Sequence, residues 1–248
     1  MVNGVQSVER AFLLLEHIAG AGGEISLSEL AEQTALPLPT IHRLLKTLAH
    51  SGYVRHLPNK HYGLGPRLIR LGDLASQQLG SWARPYLAEI TDAVQESTNM
   101  AVLDGDMATY VAQVPSAQSM RMFTEIGRRV HTNCSGVGKA MLSQLPDEQI
   151  EQLLARAGIH QPTGRGPATV AELLDDIRIV RARGYATDHE EQELGVRCFA
   201  VPVPDLPTPA AISVSGPVTR VDAAFKERAV PLLQRVAWHI ARVAATRR

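Results

Sequence analysis

The sequence predicts an α+β protein of two domains joined by a helix, and three observations support this fold class. The chain has 248 residues, and a domain commonly has roughly 100 to 200. Residues 1–65 combine helical periodicity with a β-hairpin signal, which is typical of a small, mainly helical domain. Residues 81–248 alternate strand and helix patterns with hairpin turns, which favours an antiparallel sheet flanked by helices. Residues 66–80 are predicted to form the linker helix.

The composition excludes several classes of protein. Hydrophobic residues make up 45% of the chain, enough to build packed cores and too many for a disordered chain. The two cysteines, Cys134 and Cys198, exclude a disulfide-stabilised scaffold and fit a reducing compartment. The N-terminus lacks the pattern of a secretory signal, and no apolar run reaches the about 18 residues of a membrane span. These features predict a soluble, cytoplasmic protein without a membrane partner.

The first domain is predicted to contain three helices and a hairpin. Ser7 can cap the first helix, and Ser26 with Glu29 has the spacing of a capping box for the second. The third helix is expected at residues 40–51, after a short Pro-containing turn. Residues 53–57 and 61–65 have strand character and flank a Pro-Asn-Lys turn, which indicates a β-hairpin. This order of elements predicts a winged helix-turn-helix.

Charge in this domain is distributed unevenly. The whole chain has 25 basic and 25 acidic residues, yet residues 36–70 contain no Asp or Glu. A helix that enters the DNA major groove cannot present carboxylates there, because the duplex carries about one negative charge per 1.7 Å. A merely solvated basic face is the alternative interpretation. The candidate DNA-contacting residues are Thr40, His42, Arg43, Lys46, Thr47, Arg55, Lys60 and His61.

The second domain is predicted to pair its strands through hairpins. Asp104-Gly105 joins two strand-like segments, and a helix is expected from about Gly136. Two later segments, 198–204 and 210–217, also have strand character. Alternation along a strand places small polar side chains on one side, which indicates either a shallow ligand cavity or a solvated face. Residues 119–126 are a further strand candidate.

Enzymatic chemistry is not favoured. The segment SGVGKA resembles part of a phosphate-binding loop, but Asn133 and Ala140 stand where that motif needs Gly and Ser or Thr. Gly136 and Gly138 then indicate either an anion-binding helix start or a close approach of helix and sheet. Cys198, His189 and Asp188 lack the features of an activated thiol, and the acidic loop lacks metal-ligand spacing. No enzyme activity, cofactor or metal is expected.

Motifs along the whole chain resemble IclR-family transcriptional regulators. SVERAFLLLEHIA, LSELAEQTALPLPTIHRLLKTLAHSGYV and HYGLGPRLIRLG are similar to the family's DNA-binding domain. GRRVHTNCSGVGKAMLS and GYATDHEEQELGVRCFAVPV, with AISVSGP, are similar to its effector domain. The resemblance implies a GAF-like effector domain that binds a small molecule against its sheet. Pro39 departs from the family pattern, which usually has a small polar residue at that position.

The resemblance also implies a set of ligand-binding residues and a function. A small carboxylic acid would bind there as effector, and Asp188 would need a ligand hydroxyl or a raised pKa beside an anion. SMRMFTEIGRRVHTNCSGVGKA is similar to regulators of the allantoin branch of purine catabolism, which implies glyoxylate or a pathway intermediate. The implied effector-binding residues are Gly136, Val137, Asp188, Val196, Cys198, Ser213 and Ser215.

The expected function is therefore a repressor that leaves its operator DNA when a small carboxylic acid binds. A homodimer, paired into a dimer of dimers, is expected because one small domain binds DNA weakly. Four alternatives stay open: an activator that responds to an aromatic acid, a DNA-binding protein whose second domain only oligomerises, an enzyme fused to a DNA-binding domain, and ligand binding that strengthens DNA binding.

Overall fold

A computed structural model describes residues 4–121 and 124–246. The chain divides into two compact units, Met1–Ala75 and Ser76–Arg248. The division falls inside a helix, so the linker is helical at the point where the units separate. The fold class is α+β, as the sequence predicts.

The first unit is built around three helices. Their bounds are Gln6–Gly20 for α1, Leu27–Thr34 for α2 and Leu38–His50 for α3. Ser26 and Glu29 form the predicted capping box, in which each side chain bonds the other's backbone N–H. Helix α3 begins two residues before its predicted start, because Pro39 is tolerated in the first turn and the Thr40 amide bonds the Pro37 carbonyl at 2.8 Å.

A three-stranded antiparallel sheet completes the first unit. Its strands are β1 Glu24–Ile25, β2 Val54–His56 and β3 Tyr62–Leu64, in the order β1-β3-β2. The hairpin β2–β3 is the predicted wing. Strand β1 was not predicted, because two residues are too short for a periodicity signal. Helix α4, Arg67–Leu79, follows the wing.

The second unit contains a six-stranded antiparallel sheet and five helices in the described residues. A short 3-10 turn, Ser81–Ala83, precedes α5. The sheet order is β6-β5-β4-β9-β8-β7. The helices are α5 Arg84–Val94, α6 Gly136–Leu142, α7 Asp147–Ala157, α8 Val170–Arg183 and α9 Ala223–Ala245. The strands are β4 Ser97–Asp104, β5 Met107–Val114, β6 Arg129–His131, β7 Ala186–His189, β8 Val196–Val203 and β9 Ala210–Pro217.

The two faces of this sheet have different neighbours. On one face, Ile212 and Val214 of β9 belong to an apolar core with residues of α5 and α9. On the other face, Ala200 and Ala211 pack with Val137 of α6. Alternation therefore points the small and polar side chains of the strands toward α6.

Two short strands and one absent strand depart from the predictions. Strands β6 and β7 span only three and four residues, too few for a clear periodicity. The segment 119–126 forms no strand in its described residues. Met122 and Phe123 of that segment lie outside the described residues.

Candidate functional site

Helix α3 of the first unit has one buried and one exposed face. Ile41 and Leu45 are fully buried in the core of the unit. The polar residues of the helix lie on the opposite face or at the border between the two faces, as helical spacing requires. His42, Arg43, Lys46 and Thr47 are exposed and Thr40 is half-buried. The exposed side chains of residues 40–47 are called the α3 surface below.

The turn before α3 fixes its direction. The Thr34 hydroxyl donates to the Leu30 carbonyl at 2.5 Å and closes the last turn of α2. Ala35 then adopts a left-handed conformation, with φ of 53°, which reverses the chain within a few residues. The α3 surface carries two cations and no carboxylate, so it suits a polyanion.

The wing places its three candidate residues differently. The Arg55 guanidinium donates to the Leu64 carbonyl at 3.1 Å, so it is held along the hairpin. Lys60 is exposed at the tip, with φ of 65°. His61 is half-buried and its Nδ1 lies 3.8 Å from Glu24. The charge block in the sequence does not anticipate this acid, because β1 brings Glu24 beside the wing by pairing it with Gly63 of β3.

Register across the second sheet aligns a row of polar side chains. Asp188 of β7 lies opposite Cys198 of β8, which lies opposite Ser215 of β9. Ser215 in turn lies opposite Ser97 of β4. Directly paired residues point to the same side of a sheet. All four side chains therefore face α6, across four strands.

A small cavity opens between this row and the start of α6. Its volume is about 20 Å³, close to the space that one water molecule needs. Its walls include five of the seven predicted effector-binding residues: Gly136, Asp188, Val196, Cys198 and Ser215. It is called the sheet cavity below.

The other two predicted residues lie outside the walls of the sheet cavity. The Val137 side chain is buried in the apolar cluster between α6 and the sheet. Ser213 is fully buried on the same sheet face, next to Ala200 of β8. The Cys198 thiol, which does line the cavity, lies beside the hydroxyls of both Ser213 and Ser215.

The cavity walls also contain residues that the sequence did not single out. Tyr110 faces the cavity because a β-bulge between Met100 and Ala101 shifts the register of β4 and β5. A bulge leaves no signal in a single sequence. Gln192 and Glu193 belong to the loop after β7, beside Asp188. The additional wall residues are Tyr110, Thr124, Ser135, Gln192 and Glu193.

The two glycines of the SGVGK segment allow a close approach of α6 to the sheet and the preceding strand. A Cβ on Gly136 would lie 2.9 Å from the Cys198 sulfur, and one on Gly138 would lie 2.4 Å from the Thr132 Cα. Ser135 caps the helix by accepting from the Gly138 amide at 3.2 Å. Gly136 and Gly138 therefore serve the close packing of α6 against its neighbours.

Asp188 has an unusual protonation equilibrium. Burial raises the pKa of its carboxyl to about 7, and the charge of Glu191 adds to this. The backbone amides of Glu191 and Gln192, which donate to Asp188 at 2.8 and 3.4 Å, oppose the rise. The raised pKa favours the neutral form of Asp188, which lowers the repulsion of an anion in the cavity.

A buried lysine holds the loop that carries these residues. The Lys139 ammonium donates to Glu191 at 2.7 Å and to Asp176 of α8 at 2.9 Å, with only 2% of its side chain exposed. Burial alone would lower the pKa of Lys139, but the two carboxylates raise it. The ion pair is charged, and it connects α6, α8 and the loop after β7.

The geometry excludes a pairing of Cys198 with His189. Strand pairing sets His189 opposite Arg197, while Asp188 lies opposite Cys198. Neighbouring residues of a strand point to opposite faces, so His189 and Cys198 are separated by the sheet. Burial, followed by the charge of Asp188, raises the pKa of the Cys198 thiol to about 12. That thiol is protonated at neutral pH and is not a nucleophile.

Two family models match this chain. The IclR helix-turn-helix domain matches residues 7–58, and the bacterial transcriptional regulator IclR C-terminal domain matches residues 72–242. The chain belongs to the IclR family. Members of this family are transcription factors, not enzymes, which agrees with the unreactive thiol. The protein is a ligand-responsive transcriptional repressor of this family, with a DNA-binding domain and an effector-binding domain.

Curated relatives and solved structures are similar to this protein over most of the length of the chain. The transcriptional repressor IclR of Escherichia coli K12 is 39% identical over 224 residues, covering 88% of this chain and 82% of the relative. The acetate operon repressor of Salmonella typhimurium LT2 is 40% identical, with the same coverage. The repressor AllR of E. coli K12 is 31% identical over 223 residues, covering 88% and 82%. A crystal structure of a transcriptional regulator from Rhodococcus sp. RHA1 superposes with a TM-score of 0.81 at 30% identity, covering 99% of this chain and 100% of that one.

The described residues also bear on two other kinds of site. None of the helices in residues 4–121 and 124–246 has the length and apolar character of a membrane span. Within the same ranges, His, Cys, Asp and Glu side chains do not gather in groups of three or more that could hold a metal ion.

Proposed function

We propose that this IclR-family repressor leaves its operator when a short carboxylic acid, such as glyoxylate, enters the sheet cavity. The observation that carries the proposal is the cavity itself. Strand register and the start of α6 bring the Asp188 carboxyl, the Ser215 hydroxyl and the glycine-containing start of α6 to one small space, with Ser213 behind its wall. Such convergence of polar groups in a cavity is typical of a small-molecule site.

On the DNA side, the α3 surface enters the major groove. Arg43 and Lys46 contact guanine edges or phosphates, and Thr40 and Thr47 contact phosphates or thymine methyl groups. Arg55, Lys60 and His61 of the wing follow the DNA backbone or minor groove, with His61 weakest because Glu24 lies beside it. A homodimer, itself paired with a second dimer, reads a pseudo-palindromic operator, because each half-site receives one α3.

In the sheet cavity, the effector's carboxylate accepts hydrogen bonds from the hydroxyls of Ser213 and Ser215 and from the amides of Gly136 and Val137. Asp188 contacts the ligand in its protonated form, which can donate a hydrogen bond. Cys198 and Val196 contact the carbon atoms. The cavity must widen for any acid to enter, because about 20 Å³ holds no more than a water molecule.

A two- or three-carbon acid needs less widening of the sheet cavity than an aromatic acid, which favours the smaller ligand. Identity is higher to the acetate operon repressor than to AllR, at 40% against 31%, which supports target genes of two-carbon acid use. We therefore place the regulated genes in the use of two-carbon acids, with the allantoin branch as the second candidate.

Calorimetric titration of the purified protein tests this proposal. Glyoxylate, allantoin and benzoate are titrated separately at pH 6.5, where most Asp188 carboxyls are protonated. We expect heat and saturation with glyoxylate and none with benzoate. Saturation with allantoin alone would favour the purine branch. Binding of benzoate alone would contradict the ligand class.

A further inference from the structure

Two neighbouring side chains beside the sheet cavity have unsatisfied polar atoms. Asn99 of β4 and Ser213 of β9 are both fully buried. Neither the Asn99 amide nitrogen nor its amide oxygen has a hydrogen-bond partner among the described residues. The Ser213 hydroxyl lies beside the Cys198 thiol, but it makes no hydrogen bond of acceptable distance and angle with the described residues. Folded proteins rarely leave such groups unpaired, because a buried unpaired polar atom loses its bonds to water without replacement.

Register sets these two residues side by side and next to the cavity wall. Asn99 lies directly opposite Ser213, while Ser97 lies opposite Ser215. Both pairs point toward α6, so Asn99 is the diagonal neighbour of Ser215, which lines the cavity. Diagonal neighbours are within reach of each other's side chains across a sheet. The unpaired atoms thus lie in a second row of polar side chains, which is two residues along the strands from the row that lines the cavity.

Other buried polar side chains in the same unit are paired. The Asn133 amide donates to the His160 carbonyl at 2.8 Å and accepts from the His160 amide at 3.2 Å. The Thr98 hydroxyl accepts from Thr91 at 2.8 Å. Asn133 shows that this fold satisfies an asparagine where its role is structural. Asn99 lacks such partners, which points to a role outside the protein's own packing.

We infer that Asn99, beside the carboxylate-binding Ser213, forms the part of the effector site that recognises an oxygen on the carbon next to the ligand's carboxylate. This inference rests on the proposed function. The sheet cavity is smaller than any carboxylic acid, so a bound acid must extend beyond its walls. The unpaired atoms indicate the direction in which the ligand extends, because a ligand that reaches them supplies the hydrogen bonds that they lost when they were buried away from water.

The chemistry of the two side chains defines the ligand group. Asn99 offers one acceptor oxygen and a donor NH₂, and Ser213 both donates and accepts. A carboxylate only accepts, so it leaves the Asn99 oxygen unpaired. A hydroxyl, or a carbonyl in its hydrated form, donates and accepts, so it can satisfy both the oxygen and the NH₂ group of Asn99. The site therefore selects 2-hydroxy acids and hydrated 2-oxo acids over simple acids of the same length.

Calorimetry with three two-carbon acids tests the inference. Glycolate, glyoxylate and acetate are titrated into the wild type, Asn99→Leu and Asn99→Ala. We expect the wild type to bind glycolate and glyoxylate about tenfold or more tightly than acetate, since a site built to bond an oxygen rejects the analogue without it. Both variants should lose this preference. Asn99→Ala introduces a smaller side chain, so it tests the same prediction if leucine is too large for the site.

Thermal unfolding of the ligand-free proteins separates this role from a structural one. Asn99→Leu should unfold at the same temperature as the wild type or higher, because it removes unpaired buried atoms. The matched variant Asn133→Leu should unfold at a lower temperature, because it leaves the His160 backbone unpaired. The inference is overturned if the acid preference survives in both Asn99 variants, or if both unfold as early as Asn133→Leu. Absence of binding of all three acids to the wild type would overturn the proposed function as well.

Discussion

The α3 surface and the sheet cavity differ in how far apart in the sequence their residues lie. The residues of the α3 surface fall within positions 40–47, where helical spacing alone separates the buried face from the exposed one. The cavity walls come from β5 and the segment that follows it, the start of α6, strand β7 with the loop after it, and strands β8 and β9. Local spacing defines the first site, whereas strand register defines the second.

The two sites also differ in their electrostatic environment. Arg43 and Lys46 are exposed to solvent, so salt screens their attraction to DNA. Asp188 and Lys139 are buried, so their charges depend on a few fixed partners. Substitutions on the α3 surface should therefore change binding without changing folding. Substitutions around the cavity should affect folding and ligand binding together unless they preserve the buried partners.

The largest expected effect is on the stability of the second unit. Lys139→Met should destabilise it by about 3–5 kcal/mol, because Glu191 and Asp176 lose the cation that compensates their burial. Urea unfolding followed by tryptophan fluorescence measures this change, because Trp82 and Trp238 both lie in that unit. The control is Lys226→Met, which removes an ion pair with the mostly exposed Glu227 and should unfold like the wild type. Equal midpoints for both variants would show that the buried ion pair adds nothing.

The next effect separates effector binding from DNA binding. Replacing Ser213 and Ser215 by alanine should weaken effector binding by about 3 kcal/mol or more, since each hydrogen bond to a charged group contributes about 1.5–3 kcal/mol. Affinity for DNA should stay unchanged. Calorimetry with glyoxylate and anisotropy with labelled DNA measure the two affinities. A loss of both would mean that the serines serve the fold.

A smaller effect is expected on the α3 surface. Arg43→Ala should weaken operator binding by about 1–3 kcal/mol while the thermal midpoint stays unchanged, because its side chain is exposed. Arg178→Ala, which removes an exposed arginine of α8, serves as the control and should bind DNA like the wild type. Unchanged affinity of Arg43→Ala would remove this residue from the DNA interface.

The smallest effect is a dependence on pH. Because the pKa of Asp188 is raised to about 7, its carboxyl is mostly neutral at pH 6 and mostly charged at pH 8. Glyoxylate is an anion throughout this range, so its affinity should fall about tenfold between the two pH values. Asp188→Asn should remove this dependence. Rising affinity toward pH 8 would contradict a protonated Asp188 in the bound state. Other titratable groups near the carboxyl are Glu191, Lys139, Glu193, Tyr110, Cys134 and Cys198.

The raised pKa of Asp188 also affects folding. An unfolded aspartate has a pKa near 3.9, so the folded chain binds this proton more tightly. The contribution of Asp188 to stability is therefore greatest at low pH and falls as pH rises from about 4 to about 7. In Asp188→Asn this part of the pH dependence should vanish from urea midpoints.

The sequence predicted the elements of the first unit well, because capping boxes and amphipathic helices are local patterns. Ser26 with Glu29 and the buried stripe of α3 are examples. The position of Glu24 beside His61 was not predictable, since a strand of two residues is too short to show alternation of apolar and polar residues. An acid-free stretch of sequence is thus not an acid-free surface.

The effector site was predicted through resemblance more than through spacing. Alternation along β9 places Ser213 and Ser215 on one face, but it does not reveal that α6 covers that face. Tyr110 depends on a bulge, and the unpaired state of Asn99 depends on its neighbours in three dimensions. These features arise from tertiary packing, which one sequence does not encode in any short window.

The central claim is that a short acid in the sheet cavity releases the α3 surface from DNA. Fluorescence anisotropy of a labelled duplex, selected from a random pool by the wild-type protein, tests it directly by titration with glyoxylate at pH 6.5. We predict that anisotropy falls to that of free DNA with the wild type, and stays high when Ser213 and Ser215 are both alanine. A constant or rising wild-type signal, or equal release by the serine variant, would contradict the account.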